Sequence, residues 1–187
     1  MGSDWLRAIT RWWLARLDRR AAHMSLLEIP RDKEAAQSCL RAAVAAFERG
    51  DLGEAETEVR AALTHDLGDS DAHLFLARLL SARGAMEECA RCFGLAAQHA
   101  ANPGPILSEA GQLLAAKGHS ATALHYLRQC IAVHPTDTQA ACLVGELELT
   151  SNPGAAAAAF RHALSVDPLC RRAQEGLDKI ESGCPSG

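Results

Sequence analysis

Cysteine and aspartate are the residues of this 187-residue chain whose spacing comes nearest to that of a metal site. Cys89 and Cys92 form a C-x-x-C motif, which is half of a zinc site, but the sequence holds no second C-x-x-C motif to complete it. Asp66, Asp69 and Asp71 lie close together, yet the positioned glycine and the bidentate glutamate of a calcium loop are missing. We therefore predict no metal site, and we expect Asp69 or Ser70 to cap a helix instead.

Motifs for catalysis are missing as well. The chain has no phosphate-binding glycine loop, no nucleophile motif around a serine or cysteine, and no carboxylate pair in a recognisable setting. His65, His99 and His134 each end a helical stretch, where an imidazole can meet free carbonyl groups and the negative end of the helix dipole. We predict no catalytic residue, no cofactor and no enzymatic activity.

The composition predicts the elements that position these side chains. The chain has 37 alanines and 25 leucines, both strong helix formers, and aromatic residues make up 4%. The β-branched and aromatic runs of a sheet are missing. We predict an all-α fold, which excludes a β-sandwich, a barrel and a doubly wound sheet.

Charge divides the chain into two parts. Residues 1–23, here called the leader, carry five arginines, two aspartates and all three tryptophans, for a net charge of +3. Because the whole chain carries −4, residues 24–187 carry −7. An acidic body gives no electrostatic footprint for nucleic acid.

The number of cysteines and the hydropathy of the chain indicate where in the cell the protein is located. Seven cysteines, an odd number without a disulfide spacing, favour free thiols in a reducing compartment. No apolar run approaches the roughly 18 residues that span a bilayer, and arginines interrupt the leader too often for a secretory signal. The sequence favours a cytoplasmic location, and peripheral membrane contact through residues 1–23 stays open.

An internal repeat organises the rest of the chain. Gly50, Gly84 and Gly118 are separated by 34 residues each, and the turn at 151–154 continues the series. Small residues recur after each turn, and a large apolar residue stands between them: Ala55, Val59 and Ala62; Cys89, Phe93 and Ala96; Ala123, Leu127 and Cys130; Ala156, Phe160 and Ala163. Another small position precedes each turn, at Ala43, Ala77, Gly111 and Gly145. Cys89 and Cys130 therefore stand where other units have alanine.

This pattern resembles the tetratricopeptide repeat family, whose unit has 34 residues. The resemblance implies an α-solenoid of antiparallel helix pairs over about four units and a C-terminal capping helix. The units are about 36–69, 70–103, 104–136 and 137–168, within a repeat domain at 30–182. The predicted helices are 31–49, 53–66, 70–83, 86–100, 105–117, 120–133, 138–150 and 154–166, with the capping helix at 170–182. Residues 1–29 form the leader and a linker, and 183–187 a tail.

The resemblance implies that the first helices of the pairs line a concave groove for a peptide or a partner helix. The predicted groove residues are Leu40, Arg41, Val44, Leu74, Phe75, Arg78, Ser108, Glu109, Gln112, Cys142, Leu143 and Glu146. An alternative for each is that it completes packing between units. Chaperone-cofactor members of the family grip a terminal carboxylate with lysine, asparagine and arginine. Leu40, Val44, Phe75, Pro105 and Glu109 stand at the matching positions, so an apolar or amphipathic segment suits this groove better.

The leader is a predicted basic amphipathic helix. Its tryptophans, Leu6, Ile9 and Leu17 gather on one side of a helical wheel. It could cap the first unit, dock on a partner or lie on an anionic membrane. The predicted docking residues are Trp5, Ile9, Trp12, Trp13 and Arg16.

Three functional hypotheses follow. The first is a non-catalytic protein-binding adaptor, chaperone or assembly factor. The second is an assembly factor at a membrane surface that docks through the leader. The third is an N-terminal interaction domain of a larger enzyme. The oligomeric state stays open.

Overall fold

The computed structural model describes residues 32–183, and all regular structure in this range is α-helix. The helices are α1 (Lys33–Glu48), α2 (Leu52–His65), α3 (Ser70–Arg83), α4 (Met86–His99), α5 (Gly104–Ala116), α6 (Ser120–Val133), α7 (Thr138–Glu148), α8 (Pro153–Val166) and α9 (Arg171–Glu181). The all-α prediction is confirmed, and each helix begins and ends within two residues of its predicted bounds.

Glycine turns join the two helices of the first three pairs. Gly50, Gly84 and Gly118 have φ angles of +83°, +81° and +82°. This left-handed conformation strains residues that carry a Cβ, and glycine adopts it without that cost. The regular spacing of the three glycines therefore sets the length of each pair.

Short polar side chains start many of the helices. The Asp51 carboxylate accepts the backbone N–H of Glu54 at 2.9 Å, which caps α2. Of the two predicted candidates, Asp69 caps α3, because its carboxylate accepts the N–H of Asp71 at 2.9 Å, and Ser70 is the first residue of the helix. In the fourth pair, where the turn is shorter, Asn152 caps α8. Each cap satisfies a helix N–H group that has no partner within its own helix.

The first and second helices of each pair pack closely against each other, and α9 packs on α8 and α7. The large residue of each second helix is fully buried, and so are the small residues on either side of it. Gly111 lies directly against the side chain of Leu127, and a Cβ on Gly145 would lie 2.5 Å from the Phe160 ring. Small residues therefore stand where helices approach most closely, as the repeat pattern predicts.

Contacts between pairs stack the units. The Tyr126 hydroxyl on α6 donates to the carbonyl of Ala90 on α4 at 2.6 Å. Arg128 on α6 forms an ion pair with Glu148 on α7, whose side chain is 7% exposed. Neighbouring pairs share one continuous core, and a second cluster joins α7, α8 and α9. The described residues thus form the predicted solenoid with its capping helix.

Candidate binding surface

The first helix of each pair, α1, α3, α5 and α7, carries the predicted groove residues. We call the surface that these four helices form the first-helix surface. Leu40, Leu74, Phe75 and Leu143 are half-buried, and each packs against the core with part of its side chain. Arg41 and Val44 are exposed. The half-buried side chains among them therefore pack against the core on one side and are accessible to solvent on the other.

Apolar side chains dominate the first-helix surface at its N-terminal end. Leu40, Val44 and Phe47 follow one another at intervals of four and three residues, so they lie on one face of α1. Phe47 contacts Phe75 of α3 edge to face, with ring centroids 5.9 Å apart. Val44 is 39% and Phe47 46% exposed, which is high for large apolar side chains. We call Leu40, Val44, Phe47 and Phe75 the aromatic patch.

Ion pairs dominate the same surface further along the chain. Arg78 on α3 donates two hydrogen bonds to Glu109 on α5, at 2.6 and 2.7 Å. This bidentate bond is the main cause that raises the pKa of Arg78. Glu146 on α7 forms a similar fork with Arg172 on α9. These side chains are half-exposed, so water screens the pairs and each contributes about 0.2–1 kcal/mol to stability.

Three predicted groove residues have structural roles. Ser108 is buried, accepts a hydrogen bond from Gln112 at 3.1 Å and also hydrogen-bonds to Asp137. Cys142 is 1% exposed, and its sulfur contacts that of Cys170. The side chains of Ser108 and Cys142 therefore face the packed interior rather than a partner. The packing alternative holds for them.

Two residues on or next to this surface were not predicted from the sequence. Phe47 stands three residues after Val44, one turn beyond the predicted positions on α1, and helical spacing alone would have included it. Arg172 belongs to α9 and reaches back to Glu146. No sequence signal predicts that contact, because it depends on how the capping helix packs on the fourth unit.

The cysteines of the C-x-x-C motif are part of the core. Cys89 and Cys92 are both buried on α4. Burial raises the pKa of the Cys89 thiol to about 11, and the neighbouring Cys92 adds to this increase. Cys130, at the other small position of the repeat, also has its pKa raised to about 11, mainly by burial. Within residues 32–183, no group of three or more histidine, cysteine or acidic side chains is arranged to hold a metal ion.

The three histidines lie at the ends of second helices as predicted, with His65 and His99 in the last turns of α2 and α4 and His134 at the C-cap of α6. The ring of His99 stacks on that of His73 with centroids 6.1 Å apart. His134 Nε2 lies 3.3 Å from the hydroxyl of Thr136. Backbone N–H groups, such as that of Asp66 bonded to the carbonyl of Ala62, complete the helix ends.

The leader lies outside the described residues, and with it the predicted docking residues Trp5, Ile9, Trp12, Trp13 and Arg16. Among the helices at 33–181, none combines the length and the hydrophobicity that are needed to cross a bilayer.

The paired helices, the glycine turns and the buried small positions together define a helical-repeat protein with the tetratricopeptide repeat fold. The chain is similar to a solved structure of MamA, with a TM-score of 0.65 and 15% sequence identity over 80% of this chain and 82% of that one. A tetratricopeptide repeat protein from Parabacteroides merdae gives a TM-score of 0.65 and 20% identity, over 80% of this chain and 61% of that one.

A third similar structure is YrrB, described as a tetratricopeptide repeat protein with an unusual peptide-binding site. Its TM-score is 0.57 and its identity 20%, over 83% of this chain and 89% of that one. No protein-family model and no curated protein matches the sequence. At these identities the comparisons establish the fold.

Proposed function

We propose that the chain is a non-catalytic protein-binding scaffold whose aromatic patch holds an apolar segment or an amphipathic helix of a partner protein. The contact between the exposed ring of Phe47 and the half-buried ring of Phe75 is the observation that carries this proposal. A helical-repeat protein that presents its partner in this way acts as an adaptor, a chaperone or an assembly factor.

The aromatic patch has the chemistry of a binding site. Exposed apolar side chains that cluster cost free energy in water, and burying them against a partner recovers about 25 cal/mol per Å² of apolar area. Aromatic side chains are enriched among the residues that carry most of the binding energy of protein interfaces. Because Phe47 and Phe75 already contact each other, little side-chain freedom is lost when a partner binds.

Charge next to the aromatic patch favours an amphipathic partner. Arg41 is exposed beside Leu40 on α1, and it forms no ion pair with another described residue. An acidic side chain at the edge of a partner helix could pair with it. The similar structure of YrrB, which has a peptide-binding site, supports a peptide or protein ligand for this fold.

Affinity capture with the full chain, followed by direct binding measurements with the captured protein, tests the proposal. Phe47→Glu should abolish binding and leave helicity unchanged, because Phe47 is half-exposed. Leu95→Glu is the matched control, since Leu95 on α4 is 39% exposed and lies on a second helix. Equal loss in both variants, or none in Phe47→Glu, would contradict the proposal.

The leader motivates a second candidate function, assembly at a membrane surface. Its net charge of +3 and its three tryptophans suit the interface of an anionic membrane. Binding to anionic vesicles should shift tryptophan emission to shorter wavelength and weaken with added salt. All three tryptophans of the chain lie in the leader, so this emission reports on it alone. An unchanged spectrum on anionic vesicles would reject this candidate.

A further inference from the structure

The capping helix α9 is joined to the fourth unit by two neighbouring contacts. The first is the ion pair of Glu146 with Arg172. The second is a contact between two thiols, since the sulfurs of Cys142 on α7 and Cys170 at the start of α9 are 3.5 Å apart. Both cysteines belong to helices or helix ends that pack in one cluster.

The two thiols differ in accessibility. Cys142 is 1% exposed, whereas Cys170 is half-buried and open to small molecules from solvent. Cys170 is the N-cap residue of α9, but its side chain makes no capping hydrogen bond. Its sulfur is therefore free to react without loss of a helix cap.

From this geometry we propose that Cys142 and Cys170 form a reversible intramolecular disulfide when the protein meets a peroxide. A disulfide needs an S–S distance of about 2.05 Å, so the sulfurs must approach by about 1.5 Å from their distance of 3.5 Å. A small side-chain rotation of Cys170, at the start of α9, can supply such a shift. The site takes a two-electron oxidant of the hydroperoxide class.

The oxidation of the two thiols proceeds in two steps. The Cys170 thiol loses its proton, and the thiolate attacks one oxygen of hydrogen peroxide, which breaks the O–O bond. The products are a sulfenic acid and a hydroxide ion, which takes up the released proton to become water. The Cys142 sulfur then attacks the Cys170 sulfur, its proton neutralises the departing hydroxide, and the disulfide forms with release of water. Overall, two thiols are oxidised to one disulfide and one peroxide is reduced to two waters.

The disulfide would fix the capping helix. It would close a loop between positions 28 residues apart that contains all of α8, and so link α7, α8 and α9 covalently. Terminal elements of a repeat array open most easily, because they have a neighbour on one side alone. Oxidation should therefore raise the melting temperature and slow hydrogen exchange in α9.

Peptide mapping of the full-length protein after peroxide treatment, without reduction, tests the proposal. Trypsin places Cys170 in peptide 162–171, and it leaves Cys142 together with Cys130 in peptide 129–161. We expect these two peptides to appear linked, with the mass loss of two hydrogen atoms, and to separate on reduction. Because Cys130 is in the same peptide, single variants must assign the bond.

The linked peptides should disappear in Cys142→Ser and in Cys170→Ser, and persist in Cys130→Ser. Cys39→Ser is the matched control, because Cys39 on α1 is also half-buried. Slower hydrogen exchange in residues 171–181 should accompany oxidation of the wild-type protein and be lost in Cys170→Ser. A link that survives in Cys142→Ser, a dimer through Cys170 as the main product, or sulfinic acid at Cys170 without any link would each overturn the proposal.

Discussion

The two ends of the first-helix surface use the same repeat positions for opposite purposes. Val44 and Arg78 occupy one position in successive units, and Glu146 occupies it in the fourth. Val44 is exposed next to Phe47, whereas Arg78 and Glu146 are held in ion pairs with a neighbouring helix. A regular backbone therefore presents an apolar surface where Phe47 of α1 meets Phe75 of α3, and an ion-paired surface that runs from Arg78 of α3 to Glu146 of α7.

The difference shows why fold and binding site can vary independently in a repeat protein. The buried positions keep one size pattern in every unit, because each must fit the same close approach of helices. The first-helix positions are free of that constraint, so they can carry either apolar or charged side chains. Comparing the two ends is therefore a direct way to locate the partner.

The largest effect is expected from removing both rings of the aromatic patch. Phe47→Glu combined with Phe75→Glu should weaken partner binding by at least about thirty-fold, since an interface hot spot contributes about 2 kcal/mol or more. Isothermal titration calorimetry with the captured partner measures this loss. Circular dichroism must show unchanged helicity, because Phe75 also packs against the core. Retained affinity would move the site away from α1 and α3.

A packing change at the opposite end should affect stability rather than binding. Gly145→Leu forces a side chain into the ring of the fully buried Phe160, and we expect a loss of about 1–3 kcal/mol in the free energy of unfolding. Thermal denaturation measures it. Gly53→Leu is the control, because Gly53 is exposed on α2. An unchanged melting temperature in Gly145→Leu would mean that α7 does not approach α8 as closely as described.

Substitution of one leucine at each end of the first-helix surface should have effects of intermediate size on partner binding, and these effects should differ between the two ends. Leu40→Glu adds a charge to the aromatic patch, and we expect about a ten-fold loss of affinity, whereas Leu143→Glu on α7 should leave affinity within about two-fold. Both leucines are half-buried, so their stability costs should be similar. If Leu143→Glu proves the more harmful to binding, the partner occupies the ion-paired end.

The smallest effect is expected from the ion pair between α3 and α5. Arg78→Met should cost about 0.2–1 kcal/mol of stability, because Arg78 and Glu109 are both partly exposed to water. Urea denaturation at low and high salt measures this cost, which should shrink as salt increases. A cost that is several times larger and independent of salt would mean that this pair holds the units together.

The sequence was sufficient for the fold and for placing Leu40, Val44 and Phe75 on first helices. Glycines at 34-residue spacing and repeated small positions predict helix pairs, because both are local requirements of tight turns and close packing. The ion pair of Glu146 with Arg172, and the contact of Cys142 with Cys170, each join α7 to α9 across 26 and 28 residues. Such contacts depend on how one helix is rotated relative to another. The spacing of residues within a helix does not determine that rotation.

Site-specific photo-crosslinking tests most directly whether the partner binds the aromatic patch. A benzophenone amino acid in place of Phe47 keeps an aromatic ring at that position, and the same group at Leu143 or Leu95 probes the ion-paired end and a second helix. Irradiation in living cells should link a partner protein to position 47 and to neither of the others. A partner linked at position 143 or 95 but not at 47 would contradict the assignment of the binding site.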